Sequence, residues 1–169
     1  MSRTTSQCFW GALLLLTVFN CVALAQTNNV PPTDRRLERA YRVLHFSDLY
    51  PPEAVQYINY HGTGTELNDR IETRAVKLAF DGHAYKLAGS SLKSLIGHPQ
   101  GACGAAGVAC ILLAMRDGVA PPTVNVAEPD PNCDLDYIPD AGRRLDIEYA
   151  VANCIAFGSK NSALLLRRI

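Results

Sequence analysis

Apolar and polar residues alternate over residues 55–60, where several side chains are β-branched or aromatic. This period of two is typical of a strand with one buried face. Short strands are also predicted at residues 85–89, 149–155 and 162–166, and a turn at residues 156–161 joins the last two. Residues 164–166 are three consecutive leucines, which predicts that the final strand is buried on both faces.

Helical periodicity lies between these strands. Asn68 or Asp69 can cap a helix that continues to about Phe80, and Gly82 is placed to end it. Residues 101–115 are also helical in pattern but carry no charge, which predicts a helix covered on all sides. The Arg-Asp-Gly of residues 116–118 is expected to end this helix. Strands that alternate with helices, together with a buried helix, predict a layered α/β fold.

Composition agrees with a globular protein and excludes some function classes. The chain has 169 residues, of which 48% are hydrophobic and 19% charged, so its length suits a single domain with a sizeable core. Lys plus Arg and Asp plus Glu number 16 each. Because there is no basic excess, the sequence offers no electrostatic basis for nucleic-acid binding.

The first residues differ from the rest and divide the chain. Residues 1–25 look like a secretory leader, with Arg3, a leucine-rich apolar run and an Ala-Leu-Ala cleavage pattern at residues 23–25. Residues 26–36 read as a linker, and residues 37–169 form the predicted domain, which opens with helical spacing over residues 37–44. Two alternatives to a cleaved signal remain: an uncleaved anchor, or a gene-model start fused to a fragment.

The cysteines do not suggest a metal site. Cys8 and Cys21 fall in the leader, and the other four are Cys103, Cys110, Cys133 and Cys154. These four show no CxxC and no metal-like spacing to histidine, so they are interpreted as buried thiols. A disulfide would become possible if the leader exported the chain.

Three loops after predicted strands carry the candidate chemistry. The first reads HGTGT over residues 61–65, the second SSLKSLIGH over residues 90–98, and the third AFGSKN over residues 156–161. Active sites of α/β folds are usually built from such loops. Each loop alone is a weak signal, because an isolated histidine is more often structural or superficial. His45 and His83 are interpreted in that way.

In this order and spacing, the three loops resemble the C-terminal part of the β-ketoacyl-acyl-carrier-protein synthases, in particular the elongating, FabF-like (KAS II) type of the thiolase superfamily. The resemblance runs from about residue 37 to residue 168 and includes Pro121-Pro122-Thr123 between the motifs. It implies the C-terminal half of the layered αβαβα thiolase-like fold. The implied reaction is decarboxylative Claisen condensation of acyl and malonyl thioesters in fatty-acid or polyketide synthesis.

The resemblance also implies site residues and partners. His61 and His98 resemble the two active-site histidines, which hold the malonyl thioester oxygen during decarboxylation, and Lys93 resembles the active-site lysine. Thr63 and Thr65 resemble the hydroxyls that meet the phosphopantetheine arm. Phe157 resembles the gating phenylalanine. No dissociable cofactor is implied, since substrates are carried on the phosphopantetheine of acyl carrier protein, the expected partner.

The sequence departs from the family in ways that affect activity. The nucleophilic cysteine belongs to the half that precedes this one, so the chain is expected to be inactive alone and to need an N-terminal synthase half or a homodimer partner. An acidic residue that usually lies near Gly107 and pairs with the lysine is replaced, and the gate reads Ala-Phe-Gly-Ser over residues 156–159. The family implies a cytoplasmic or organellar protein, whereas the leader implies a secretory one. A non-catalytic acyl- or pantetheine-binding domain, or a secreted domain of thiolase-like fold, is the alternative function.

Overall fold

The computed structural model describes residues 51–156 and 161–169. The predicted leader, the linker, the helical pattern at residues 37–44 and Phe157 lie outside the described residues. The described part contains strands β1 (Tyr57–Asn59), β2 (Ala88–Ser90), β3 (Val119–Ala120), β4 (Arg143–Arg144), β5 (Tyr149–Cys154) and β6 (Ser162–Arg167). Its α-helices are α1 (Glu66–Phe80), α2 (Lys93–Ile96) and α3 (Cys103–Asp117), and short 3-10 helices lie at Pro52–Ala54, Asp81–Lys86 and Gln100–Ala102.

Four strands form one mixed sheet in the order β2-β1-β5-β6. Strand β1 is central and runs parallel to both β2 and β5, whereas β6 pairs with β5 in the antiparallel sense. The parallel part requires crossover connections, and α1 and α3 lie in them. Strands β3 and β4 form a separate antiparallel pair.

The sheet lies between two helical layers. On one face, Ile58 of β1 and Val151 of β5 pack with Val76 and Phe80 of α1. On the other face, the neighbouring strand residues Tyr57, Ala150 and Ala152 pack with α3. Successive side chains of a strand point to opposite faces, so the short strands β1 and β5 contribute to both core clusters. The predicted layered α/β fold is confirmed.

Two helix starts differ from the prediction. Helix α1 begins at Glu66 with Thr65 at its N-cap position, so the predicted caps at Asn68 and Asp69 are wrong. The Thr65 side chain makes no capping hydrogen bond and contacts the Thr63 hydroxyl instead. The serine-rich segment predicted as a loop contains α2, whose last turn ends at Gly97 with a φ of 77°. Glycine adopts this left-handed conformation without the steric penalty of other residues.

Two predictions of complete burial are wrong. Helix α3 buries one face, including Ile111, but Leu112 and Leu113 on its other side are 36% and 50% exposed. Strand β6 lies at the sheet edge, and its Leu164 and Leu165 are only partly buried. The predicted end of α3 is confirmed, because Gly118 adopts the left-handed conformation after the last turn.

Candidate functional site

Three of the five candidate residues in the first two loops meet at one edge of the sheet. His61 follows β1 by two residues, Lys93 begins α2 after β2, and His98 precedes α3. Because β1 and β2 are parallel, their carboxyl ends open on the same edge, where loops from both strands come together. The positions predicted for this site from separate motifs therefore converge in the fold.

The two histidine rings face each other edge to face. Their centroids are 5.6 Å apart and the ring planes cross at 82°. The His61 ring is buried, with 6% of the residue exposed, whereas His98 is exposed to solvent. One ring is thus held inside the protein, and the other forms an open wall of the site.

Hydrogen bonds to the rings determine where each neutral imidazole carries its proton. Lys93 Nζ lies 3.3 Å from His61 Nδ1, and the backbone N–H of Gln100 donates to His98 Nδ1 over 3.0 Å. An ammonium and an amide can only donate, so Nδ1 is the acceptor in both rings. The proton of each neutral ring is therefore on Nε2, and two Nε2–H groups remain to donate to a ligand.

His61 is held in its neutral form. Burial, the nearby Lys93 ammonium and His98 together lower its pKa from 6.5 to about 4. A buried imidazole beside a fixed positive charge resists protonation because the imidazolium would lose hydration and be repelled. The Nε2–H of His61 is thus a neutral donor throughout the physiological pH range.

Glu72 is a site residue that sequence analysis did not identify. It reaches back from α1, is fully buried, and accepts hydrogen bonds from the backbone N–H groups of His61 (2.7 Å) and Gly62 (2.9 Å). The side chain of Asn153 at the end of β5 donates to the same carboxyl over 2.6 Å. Burial raises the pKa of this carboxyl, while these donors act in the opposite direction. The only sequence signal was its position in the stretch that resembles the synthases.

Lys93 acts on the loop of the first histidine. Besides the contact with the ring, its ammonium donates to the backbone carbonyl of His61 over 2.5 Å. At Gly107 of α3, an added Cβ would lie 2.9 Å from Oδ1 of Asn59. The side-chain amide of Asn59 therefore occupies the space beside Gly107. The Lys93 ammonium contacts the ring and the backbone carbonyl of His61.

Thr63 and Thr65 line a neighbouring cavity of about 500 Å³. Their hydroxyls are 2.8 Å apart. Gly62 and Lys93 also line this cavity, but within the described part of the chain neither histidine ring does. The HGTGT loop thus separates the histidine pair from a space lined by the two threonines, and the structure does not bring all predicted site residues into one pocket.

A cysteine lies beside the second histidine, which sequence analysis did not anticipate. Cys103, the first residue of α3, places its Sγ 3.5 Å from His98 Nδ1 and is half-buried. Burial raises the pKa of the Cys154 thiol at the end of β5, and Cys103 raises it further. The spacing of His98 and Cys103, five residues across a helix start, carried no recognisable motif.

The described residues do not form a metal centre. Within residues 51–156 and 161–169, no group of three or more His, Cys, Asp or Glu side chains could hold a metal ion. In the same part of the chain, no helix is long and apolar enough to cross a membrane.

Comparison with known families identifies the chain. The family model described as "Beta-ketoacyl synthase, C-terminal domain" matches residues 14–127, which is more than half of the sequence. The chain belongs to the β-ketoacyl synthase family. The matched range starts before the described residues and includes the loops of His61, Lys93 and His98.

Individual β-ketoacyl synthases support the same assignment. The chain is 48% identical over 118 residues to 3-oxoacyl-[acyl-carrier-protein] synthase 2 of Coxiella burnetii, and 44% identical over 142 residues to nodulation protein E of a Rhizobium species. These matches cover 70% and 84% of this chain but only 28% and 35% of the relatives. The chain therefore spans about a third or less of the length of these synthases.

Solved ketosynthases share the fold. A β-ketoacyl synthase from Burkholderia phymatum superposes with a TM-score of 0.71 and 37% identity, covering 78% of this chain and 32% of that one. A type II polyketide ketosynthase, solved with its acyl carrier protein, gives a TM-score of 0.67 and 35% identity, covering 70% of this chain and 29% of the ketosynthase. The predicted C-terminal half of the thiolase-like fold is confirmed, whereas the predicted domain boundaries stay predictions.

Proposed function

We propose that this chain is the C-terminal part of a 3-oxoacyl-[acyl-carrier-protein] synthase and that His61 and His98 act as paired donors in its condensation reaction. One observation carries the proposal: the rings lie 5.6 Å apart, with both Nδ1 atoms occupied by donors. An oxygen atom held between them would accept from both Nε2–H groups.

The condensation needs such donors at one step. When a malonyl thioester loses carbon dioxide, the C–C bond to the carboxylate breaks and its electron pair forms an enolate. Negative charge then develops on the thioester oxygen, and positioned N–H groups stabilise it more than they stabilise the ground-state carbonyl. The enolate carbon next attacks an acyl thioester, and the thiol that carried the acyl group leaves.

The neutral state of His61 suits this role. A pKa of about 4 keeps the ring neutral at physiological pH, so it donates a hydrogen bond without giving up a proton to the enolate. Lys93 would act as a positioning residue, because its ammonium holds Nδ1 and the His61 carbonyl. Glu72 would do the same from the other side by fixing the backbone of His61 and Gly62.

The substrates would arrive on the phosphopantetheine of acyl carrier protein, with no dissociable cofactor. One of the similar solved structures is a ketosynthase in complex with its acyl carrier protein, which supports that partner. The hydroxyls of Thr63 and Thr65 face a cavity of about 500 Å³ and are proposed to contact the arm. Phe157, outside the described residues, is proposed as the gate.

Condensation should require a second polypeptide segment. His98 is exposed, so water would reach the developing enolate and weaken its hydrogen bonds. Leu112 and Leu113 on the outer side of α3 are exposed as well, which supports a covering partner. An N-terminal synthase half would supply both the cover and the nucleophilic cysteine, whereas a homodimer partner of identical sequence would supply only cover.

The test is a condensation assay with acyl- and malonyl-carrier protein. The chain alone should give no ketoacyl product, and adding an N-terminal synthase half in trans should restore it. Restoration must be lost when the nucleophilic cysteine of that half is replaced by alanine. Binding of carrier protein without product in the reconstituted mixture would instead favour the non-catalytic acyl- or pantetheine-binding domain.

A further inference from the structure

Four cysteines lie in the described part of the chain, and their surroundings differ. Cys110 is buried, and burial raises the pKa of the thiols of Cys110, Cys133 and Cys154. Cys103 is half-buried, and its Sγ lies 3.5 Å from His98 Nδ1. A nucleophile within hydrogen-bond reach of a base is the arrangement that activates thiols for covalent chemistry.

The packing of α3 on β5 brings further reactive groups to this thiol. Gly107 of α3 faces Ala152 of β5, with 3.9 Å between an added Cβ and the alanine Cβ. Cys103 lies one turn before Gly107 on α3, and Cys154 lies two residues after Ala152 on β5. The two thiols therefore lie at the same end of the packed helix and strand. The Cys103 thiol contacts the His98 imidazole, and Cys154 is close enough to Cys103 to affect its own pKa.

We propose that Cys103 is a site of acyl transfer in this chain, with His98 Nδ1 as the base. The substrate class, an acyl thioester, rests on the function proposed above. The thiol proton moves to Nδ1 as Sγ attacks the thioester carbonyl carbon. The tetrahedral intermediate then collapses, the carrier thiolate leaves and takes the proton from His98, and the products are an acyl-Cys103 thioester and a free carrier thiol.

The geometry separates this acylation from condensation. Cys103 contacts His98 through Nδ1, whereas the proposed enolate is held by Nε2, on the opposite side of the imidazole. An acyl group on Cys103 is therefore not placed next to the enolate carbon. Acylation at this position should occur without ketoacyl product, as a modification of the chain and not as a replacement for the nucleophilic cysteine of an N-terminal synthase half.

The contact of Nδ1 with the Gln100 backbone N–H sets a condition on the step. The same nitrogen accepts that N–H over 3.0 Å, so the amide and the thiol share one lone pair. Proton transfer from Cys103 requires the amide contact to loosen. Gln100 has a φ of 52°, a left-handed conformation that is costly for a non-glycine residue, so a shift of this residue away from Nδ1 can relieve strain.

The experiment is site-resolved acetylation of the full chain by an acetyl thioester of N-acetylcysteamine, followed by peptide mapping. Cys103 should be acetylated at least about tenfold faster than Cys133. The substitution His98→Gln should lower the acetylation rate of Cys103 about a hundredfold, as expected for loss of a general base. Cys133 is the internal control, because an unchanged rate there shows that the variant remains folded.

Two results would overturn the proposal. One is equal labelling of Cys103, Cys133 and Cys154, and the other is a Cys103 rate that His98→Gln leaves unchanged. Iodoacetamide serves as a parallel probe, because its reaction reports thiol activation without any acyl substrate. Failure of acetylation together with successful condensation in the reconstituted synthase would reject the Cys103 proposal alone.

Discussion

Protonation of His61 should destabilise the folded chain as the pH falls from about 6.5 to about 4. The ordinary histidine pKa is 6.5, and the pKa of His61 in the fold is about 4. Between these values the unfolded chain binds a proton that the folded chain does not. The His61 contribution to stability is therefore present above pH 6.5 and is lost progressively as the pH approaches 4.

The size of the effect follows from the same two values. Each pKa unit corresponds to about 1.4 kcal/mol, so a decrease from 6.5 to about 4 amounts to on the order of 3 kcal/mol of unfolding free energy. Because the site is open to solvent at the exposed His98, screening makes this value an upper bound. A loss of this size is a large fraction of the stability of an ordinary domain.

Urea unfolding of the wild type and of His61→Gln at pH 7, 5.5 and 4.5 would measure the contribution of His61 to the free energy of unfolding. All other titrating groups are common to the two proteins, so the difference between their pH profiles isolates His61. The wild type should lose more stability than the variant across this range, and proton NMR should show the His61 ring titrating well below 6.5. Parallel profiles, or a His61 pKa near 6.5, would refute the account of the buried neutral ring.

Three further substitutions test the surroundings of the site. Lys93→Met should raise the pKa of His61, measured by NMR titration, because it removes the ammonium that opposes protonation of the ring. Glu72→Ala should lower the unfolding free energy by about 3 kcal/mol or more, since it leaves several buried N–H donors unpaired at about 1–3 kcal/mol each. Gly89→Ala should destabilise by at least about 1–3 kcal/mol, because its Cβ would lie 2.2 Å from a buried tyrosine ring. Gly104→Ala, with open space at its Cβ, is the matched control and should be neutral or slightly stabilising in thermal denaturation.

The sequence predicted those site residues that belong to a recognisable motif, because the motif indicates both their chemistry and their position in the fold. His61 lies in the loop after β1, and Lys93 and His98 lie in the segment after β2; parallel strands bring such segments to the same edge of the sheet. Glu72 could not be recognised in this way, because a glutamate in a helix of mixed polarity is typical of a solvated surface. Only the fold shows that α1 turns this side chain back under the HGTGT loop.

The fold predictions failed where burial depends on neighbours. An apolar pattern all around α3 predicts that the helix is covered, but within the described residues only one of its faces packs on the sheet. The run of leucines in β6 predicts a strand buried on both faces, although pairing places β6 at an edge of the sheet. Local patterns report how apolar a segment is, and they do not report how many layers are present to cover it.

The most direct test of the central claim is the rate of carbon dioxide release from malonyl-carrier protein. The rate would be measured with the full chain reconstituted with an N-terminal synthase half, for the wild type, His61→Ala and His98→Ala. Each substitution should lower the rate by about a hundredfold or more, as removal of one oxyanion donor does in other enzymes. Robust release that both substitutions leave unchanged would contradict the assignment of these histidines as the donors.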